Sequence, residues 1–204
     1  MKALLVVDLQ NDFLPGGSLA VAEGDSIIPV INSIQTDFDL IVATQDWHPR
    51  DHKSFASQHP EKRPFEVIDL NGLPQVLWPD HCVQGTLGAA FSKAWHSDSI
   101  AAIFRKGMDV AVDSYSGFYD NDKRNTTGLL GFLKDKSVTE VYVCGLAADF
   151  CVYYTAVDAV EAGFETFYLE FAAKAIDVDG YCQAKKVMLS KGIKMVSTSK
   201  ELKL

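Results

Sequence analysis

The chain has 204 residues, of which 48% are hydrophobic and 23% charged, which suits one well-cored globular domain over residues 1–204 and is short for two. A formal net charge of -8 argues against nucleic acid or an anionic membrane as partner, because neither is drawn to an acidic surface. The apolar start at residues 3–7 is broken by Asp8 and followed by Gln10, Asn11 and Asp12, too short and polar for a secretory segment, and no other run approaches a membrane span. The expected location is the cytoplasm, where Cys82, Cys144, Cys151 and Cys182 are read as free thiols.

Taken in order, the chain predicts a strand at 3–7, a helix at 26–35, a strand at 40–43 and a strand at 101–104. A helix at 127–134, a strand at 138–144, a helix at 150–162, a strand at 166–169, a helix at 179–191 and a strand at 194–197 follow. The apolar runs are continuous rather than alternating, as in strands buried on both faces. Within 150–162, Val152, Ala156, Ala159 and Val160 repeat at helical spacing, and Gly163 supplies a stop. Strands separated by helices predict a mostly parallel six-stranded sheet covered on both faces. Residues 47–99, rich in His, Pro and Trp, and the polar stretch 109–126 fit no regular element; long irregular segments in a compact domain tend to be functional.

Ligands of such sheets bind beyond the carboxyl ends of the strands. The residues there are Asp8 to Phe13 after the first strand, Gln45 to His48 after the second, Arg105 to Gly107 after the third and Gly145 to Cys151 after the fourth. Cys151 stands near a helix start, where free N–H groups and the helix dipole favour an anion; a lowered thiol pKa and a receptor for an oxyanion are expected there. Position alone leaves it between that role and an ordinary buried cysteine, which most free cysteines are. Asp8 and Lys106 could each be a routine loop acid and surface cation, yet together they would form an ion pair beside the thiol, one moving a proton and one stabilising negative sulfur. There is no Ser-x-Gly elbow and no His after a late strand, so a hydrolase here must use a base other than histidine.

Four of the five histidines, His48, His52, His59 and His81, fall between residues 48 and 81. Asp46 and His48 lie two apart at a strand end, so their side chains share a side. A carboxylate with two or three imidazoles suits zinc, iron or manganese with positions left open, and a polar surface loop is the competing reading.

Six segments together resemble the nicotinamidases of the isochorismatase-like cysteine hydrolase superfamily, over nearly the whole chain. They are VVDLQNDFLPGGSL at 6–19, TQDWHPRDHKSF at 44–55, WPDHCVQGTLGA at 78–89, FRKG at 104–107, DSYSGFYDN at 113–121 and VCGLAADFCV at 143–152. The resemblance implies a three-layer α/β/α sandwich around a six-stranded, mostly parallel sheet. It implies Asp8, Lys106 and Cys151 as a catalytic triad, the N–H groups of Ala147 and Cys151 as an oxyanion hole, and a cis Leu146–Ala147 peptide. Phe13 and Trp78 become walls around a pyridine ring, and Asp46, His48 and His81 ligands of one divalent metal ion, zinc first, with iron or manganese as alternatives. His52 stands where some members place a further ligand. Two departures bear on substrate fit: Phe150 replaces the Tyr or His common before the nucleophile, and EFAAKAID at 170–177 replaces a DGCRG-like stretch.

The reaction so implied is hydrolysis of nicotinamide to nicotinate and ammonia through a thioester, in NAD salvage, with pyrazinamide also accepted. Relatives occur as monomers and larger assemblies, so a homo-oligomer is among the expected states. The rival readings are another amide hydrolase of the superfamily acting on a different small carboxamide, and a non-catalytic thiol-and-metal sensor.

Overall fold

The structure, a computed structural model, describes residues 1–202. Its strands in chain order are β1 (Lys2–Val7), β2 (Leu40–Asp46), β3 (Val67–Leu70), β4 (Leu73–Val76), β5 (Ala102–Lys106), β6 (Glu140–Leu146), β7 (Glu165–Lys174) and β8 (Lys194–Val196). The helices are α1 (Ile28–Ile34), α2 (Leu129–Asp135), α3 (Cys151–Glu161) and α4 (Val178–Ser190). Six strands form one sheet in the order β5-β2-β1-β6-β7-β8, with every pairing parallel.

The unbroken apolar runs bury both faces of this sheet. Leu4, Val6, Ile41, Ala43 and Cys144 pack against Ile28, Ile31 and Ile34 of α1 on one side, where Phe13, Trp78 and Trp95 from irregular chain complete the layer. Ala3, Leu5, Val7, Val42 and Val143 face the other side, under Leu129 and Leu133 of α2, Val152 and Ala156 of α3 and Met188 of α4. Pro29 sits in the first turn of α1, where its missing N–H costs nothing. Asp177 caps α4 by accepting from the N–H groups of Asp179 and Gly180. No helix among the described residues is long and apolar enough to cross a membrane.

The stretch 47–99 is not wholly irregular. β3 and β4 form a separate antiparallel hairpin there, closed by Asn71 and Gly72 with φ of 56 and 87°. An Asn-Gly pair favours such a turn because both central residues need positive φ; the strands are short and half exposed, so no apolar run announces them.

β1 is flanked by β2 on one side and β6 on the other, so the chain leaves its two neighbours in opposite directions and a crevice opens at their carboxyl ends. Gly145 brings β6 against β1 at this point. Its φ is +116°, and a Cβ there would stand 2.1 Å from the Val7 carbonyl oxygen. Gly145→Ala is therefore expected to cost about 3 kcal/mol or more and to lower the melting temperature by at least about 6 °C for a chain of this size. An unchanged thermal scan would contradict this close approach.

Candidate active site

The sheet order carries four functional groups to one place. Asp8 follows β1 directly with a φ of 49°, a conformation that a non-glycine residue adopts only at a cost. Its carboxylate is fully buried; Oδ1 accepts from the Thr44 hydroxyl at 2.6 Å, and Oδ2 lies 2.9 Å from Lys106 Nζ without the alignment of a hydrogen bond. Lys106 ends β5 directly across the ladder from Asp46, the last residue of β2. Its buried ammonium donates to Asp46 Oδ1 at 2.8 Å, to the Ser114 carbonyl at 2.9 Å and to Cys151 Sγ at 3.4 Å. Cys151 opens α3 and is buried. The N–H groups of Ala147 and Cys151 donate to no acceptor among the described residues, and the Leu146–Ala147 peptide is cis.

Burial penalises every charge here, and the outcome depends on what lies beside each group. Burial opposes the charged form of Lys106, but Asp46 and Asp8 outweigh it and hold its pKa well above the usual range. Burial likewise pushes Asp46 up, while Lys106 and then His48 pull harder, leaving its carboxyl well below the usual range. Asp8 ends up raised, by burial first and by Asp46, against the pull of Lys106. The Cys151 thiol is pushed well above its usual value by burial; Lys106 opposes this, and Asp8 and Asp46 add to it. The lowered thiol pKa expected from a helix start is thus corrected: burial, with two carboxylates nearby, shifts the thiol the other way and disfavours its ionised form.

The histidine-rich segment meets this centre at Asp46. His48 Nε2 lies 3.4 Å and His81 Nε2 3.6 Å from Asp46 Oδ2. The Nδ1 of His48 is 2.9 Å from the Gly107 carbonyl and that of His81 is 2.8 Å from the Pro79 carbonyl. Those carbonyls accept from Nδ1 and leave the Nε2 atom of each ring beside Asp46 Oδ2, the arrangement of metal-binding imidazoles. A Cβ on Gly107 would sit 2.4 Å from the His48 ring, so glycine is required for that approach. Burial lowers the pKa of His48, but Asp46 overcomes it and the net shift is upward. One donor atom from each of Asp46, His48 and His81 falls within 4.8 Å of the others, so the set fits a divalent ion. His52 stands slightly apart. It groups with His48 and Asp113, its Nδ1 meets Ser54 Oγ at 2.7 Å, and its buried Nε2 has no partner. Burial and then His48 lower its pKa to about 4, which keeps it neutral.

Between the two halves lies a narrow cavity of about 20 Å³, well below the usual size of a ligand pocket, so a flat ring would enter only as its walls move apart. Phe13 and Trp78 both line it, with Cys151, Asp46 and His81 at its polar end.

Residues 2–200 match the isochorismatase domain family. The chain belongs to the isochorismatase family. It is similar to a nicotinamidase of Acinetobacter baylyi, with 50% identity over 197 residues, covering 96% of this chain and 92% of that one. A solved Acinetobacter baumanii nicotinamidase and pyrazinamidase shares the fold with a TM-score of 0.95 and 48% identity, over 98% of each chain. The pyrazinamidase of Pyrococcus horikoshii, solved in complex with zinc, matches with a TM-score of 0.78 and 39% identity over 97% of this chain and 99% of that one. The α/β sandwich with its six-stranded parallel sheet is therefore the family fold.

Further residues line this isochorismatase-family pocket, among them Phe150 and Ile176 from the two departures expected to bear on substrate fit. Tyr115, Phe150, Leu19 and Ile176 join the wall, and Asp113 lines it with a buried carboxylate. Trp78 meets Phe150 edge to face at 4.9 Å and Tyr115 at 6.2 Å. The DSYSGFYDN segment signalled Asp113 and Tyr115 without saying what they touch. The departure at 170–177 signalled the segment that holds Ile176 without singling it out; Ile176 is carried in by Asp149, whose carboxylate accepts from the N–H groups of Ile176 and Asp177 at 3.0 and 2.8 Å.

Removing the central cation should be costly. Lys106→Met would leave two buried carboxylates uncompensated, a loss of about 3–5 kcal/mol. A clear drop in urea midpoint is the expected result, and an unchanged midpoint would show that Lys106 does not balance this charge.

Proposed function

We propose that this protein is a metal-dependent nicotinamidase, converting nicotinamide to nicotinate and ammonia through a thioester on Cys151 and accepting pyrazinamide as well. The observation that carries the reading is the Lys106 ammonium, which touches Cys151 Sγ and Asp46 and pairs with Asp8 in a pocket walled by Phe13 and Trp78. Nicotinamidases among the relatives support the substrate, and the zinc-bound relative supports the cofactor. Asp46, His48 and His81 would hold the ion, zinc first, with iron or manganese as alternatives, and His52 stands beside them without being needed to complete the set. When bound, such an ion supplies a Lewis-acidic anchor for the pyridine nitrogen and a more acidic water.

The chain's own groups carry the chemistry. Phe13 and Trp78 hold the flat ring so that the carboxamide carbon faces Cys151. As Sγ bonds to that carbon, the thiol proton passes to Asp8 and the carbonyl π electrons move onto oxygen. The N–H groups of Ala147 and Cys151 receive the oxyanion. On collapse the C–N bond breaks, Asp8 returns the proton to nitrogen, and ammonia leaves a thioester. Water then adds to the thioester carbon with Asp8 taking one of its protons, the C–S bond breaks as Asp8 returns that proton to sulfur, and the nicotinic acid so formed loses its own proton to solvent and leaves as nicotinate. Two moderate barriers replace the one high barrier of direct amide hydrolysis. Lys106 keeps the proton-carrying carboxylate and the sulfur together throughout. The reading extends to one catalytic domain over 1–204, a cytoplasmic setting and NAD salvage.

Ammonia release from nicotinamide tests it. Cys151→Ala should lose at least about 10³-fold in kcat/KM, and a variant that kept substantial ammonia release would sink the thioester scheme. His81→Ala should bind Zn²⁺ at least about tenfold more weakly in competition with a chromogenic chelator. Equal affinity would place the metal elsewhere.

A further inference from the structure

Thr44 lies in β2 two residues before Asp46, and nothing in the scheme above uses it. Its side chain is wholly buried, and its two branches have separate contacts. The hydroxyl donates to Asp8 Oδ1 at 2.6 Å. The methyl packs on Gly117, where an added Cβ would come within 2.6 Å of Thr44 Cγ2. Gly117 in turn donates its N–H to Thr155 Oγ1 at 2.9 Å, on α3 one turn beyond Cys151.

The hydroxyl bears on a choice that Asp8 must make. A carboxylate turns about a broad, roughly two-fold torsion, so its oxygens are not fixed by the backbone alone. The nearby ammonium pulls on both of them. With Oδ1 engaged by Thr44, Oδ2 remains without an aligned hydrogen bond, 2.9 Å from Lys106 Nζ, and an Asp8 oxygen lies within 4.8 Å of Cys151 Sγ. A hydrogen bond to the ionised carboxylate also favours its giving the proton up again, which protonation of the leaving nitrogen requires.

We propose that Thr44 is a positioning residue for proton transfer: its hydroxyl holds Asp8 Oδ1 and reserves Oδ2 for the Cys151 proton. The inference rests on the reading of Asp8 as proton carrier and Cys151 as nucleophile. The residue's two branches make it testable. Thr44→Val keeps the methyl contact with Gly117 and removes the hydroxyl, whereas Thr44→Ser keeps the hydroxyl and removes the methyl.

In ammonia release from nicotinamide, Thr44→Val should lower kcat roughly 10–100-fold with KM changed less than about threefold. Thr44→Ser should stay within about threefold of the parent in kcat. Alkylation of Cys151 by iodoacetamide, read on its own peptide by mass spectrometry, should slow in Thr44→Val and not in Thr44→Ser. Should the Val variant fail to fold, Thr44→Ala against Thr44→Ser makes the same comparison, since these two differ only in the hydroxyl. A Val variant with parental kcat overturns the inference, as does a Ser variant as slow as Val, which would assign the effect to the methyl contact. Asp8→Asn in the same assay separates the two levels. If it is inactive while Thr44→Val is unaffected, only the role of Thr44 fails; if it keeps substantial activity, the reading of Asp8 fails and the inference with it.

Discussion

A lysine ammonium with no solvent contact survives only where negative charge surrounds it, and Lys106 finds that charge at the ends of two neighbouring strands. Asp8 comes from β1, Asp46 from β2 and Lys106 from β5, so the balance exists only while these three strands lie side by side and point the same way. Reversing one strand would carry its terminal residue to the opposite edge of the sheet. The order of the sheet and the charge balance of the site therefore depend on each other. One ammonium against two carboxylates leaves an excess of negative charge, and Asp46 is where it is shared. Its Oδ1 serves Lys106 while its Oδ2 faces His48 and His81. A single carboxylate thus joins the thiol half to the half suited to a cation.

The same burial that makes the ion pair strong makes a resting thiolate unfavourable. The upward push on the Cys151 thiol places a constraint on the proposed chemistry: the proton leaves as the sulfur bonds to carbon, because burial disfavours free negative sulfur here. Under that constraint the number of charges in the pocket does not change. Asp8 loses its charge as the carbonyl oxygen gains one, and the oxyanion forms beside N–H groups that have no other acceptor among the described residues. A buried site suits a reaction that moves charge between preset partners rather than creating it.

The parts of this site that were legible in the sequence are those that follow a strand directly. Apolar runs mark strand ends, and in a parallel sheet strand ends mark the crevice, so Asp8, Lys106, Asp46 and the segment to Cys151 could be placed from pattern before any resemblance was considered. Polar residues inside strands were less legible. β2 continues through Thr44, Gln45 and Asp46 because these are buried with partners, the Gln10 side chain pairing with the backbone of Asp46 at both its N–H and its carbonyl. Periodicity sees only their polarity and ends the strand at residue 43. The β3–β4 hairpin had its signal in Asn71-Gly72, outweighed by the Pro and His around it. Ile176 was marked only as part of the departure at 170–177, since its exact place depends on a carboxylate 27 positions earlier. The thiol expectation failed for a different reason: the helix-start argument is local, and burial among carboxylates is not.

β2 shows how little of a catalytic arrangement need reside in the reacting groups. Successive side chains of a strand alternate between its faces, so Thr44 and Asp46 point to one side and Gln45 to the other. Thr44 meets Asp8 and Asp46 meets Lys106, which sets the spacing of proton carrier and ammonium by two residues of one rigid element. Gln45 is tied to the Ala89 carbonyl and to Arg105 on the opposite side, so the strand has little freedom to turn. Loops could bring the same groups together, but each would add backbone freedom that must be lost before reaction. Hanging the carboxylates and the ammonium on the ends of three hydrogen-bonded strands removes most of that loss in advance. What remains adjustable is the rotation of the Asp8 carboxylate, and the hydroxyl of Thr44 is placed on it.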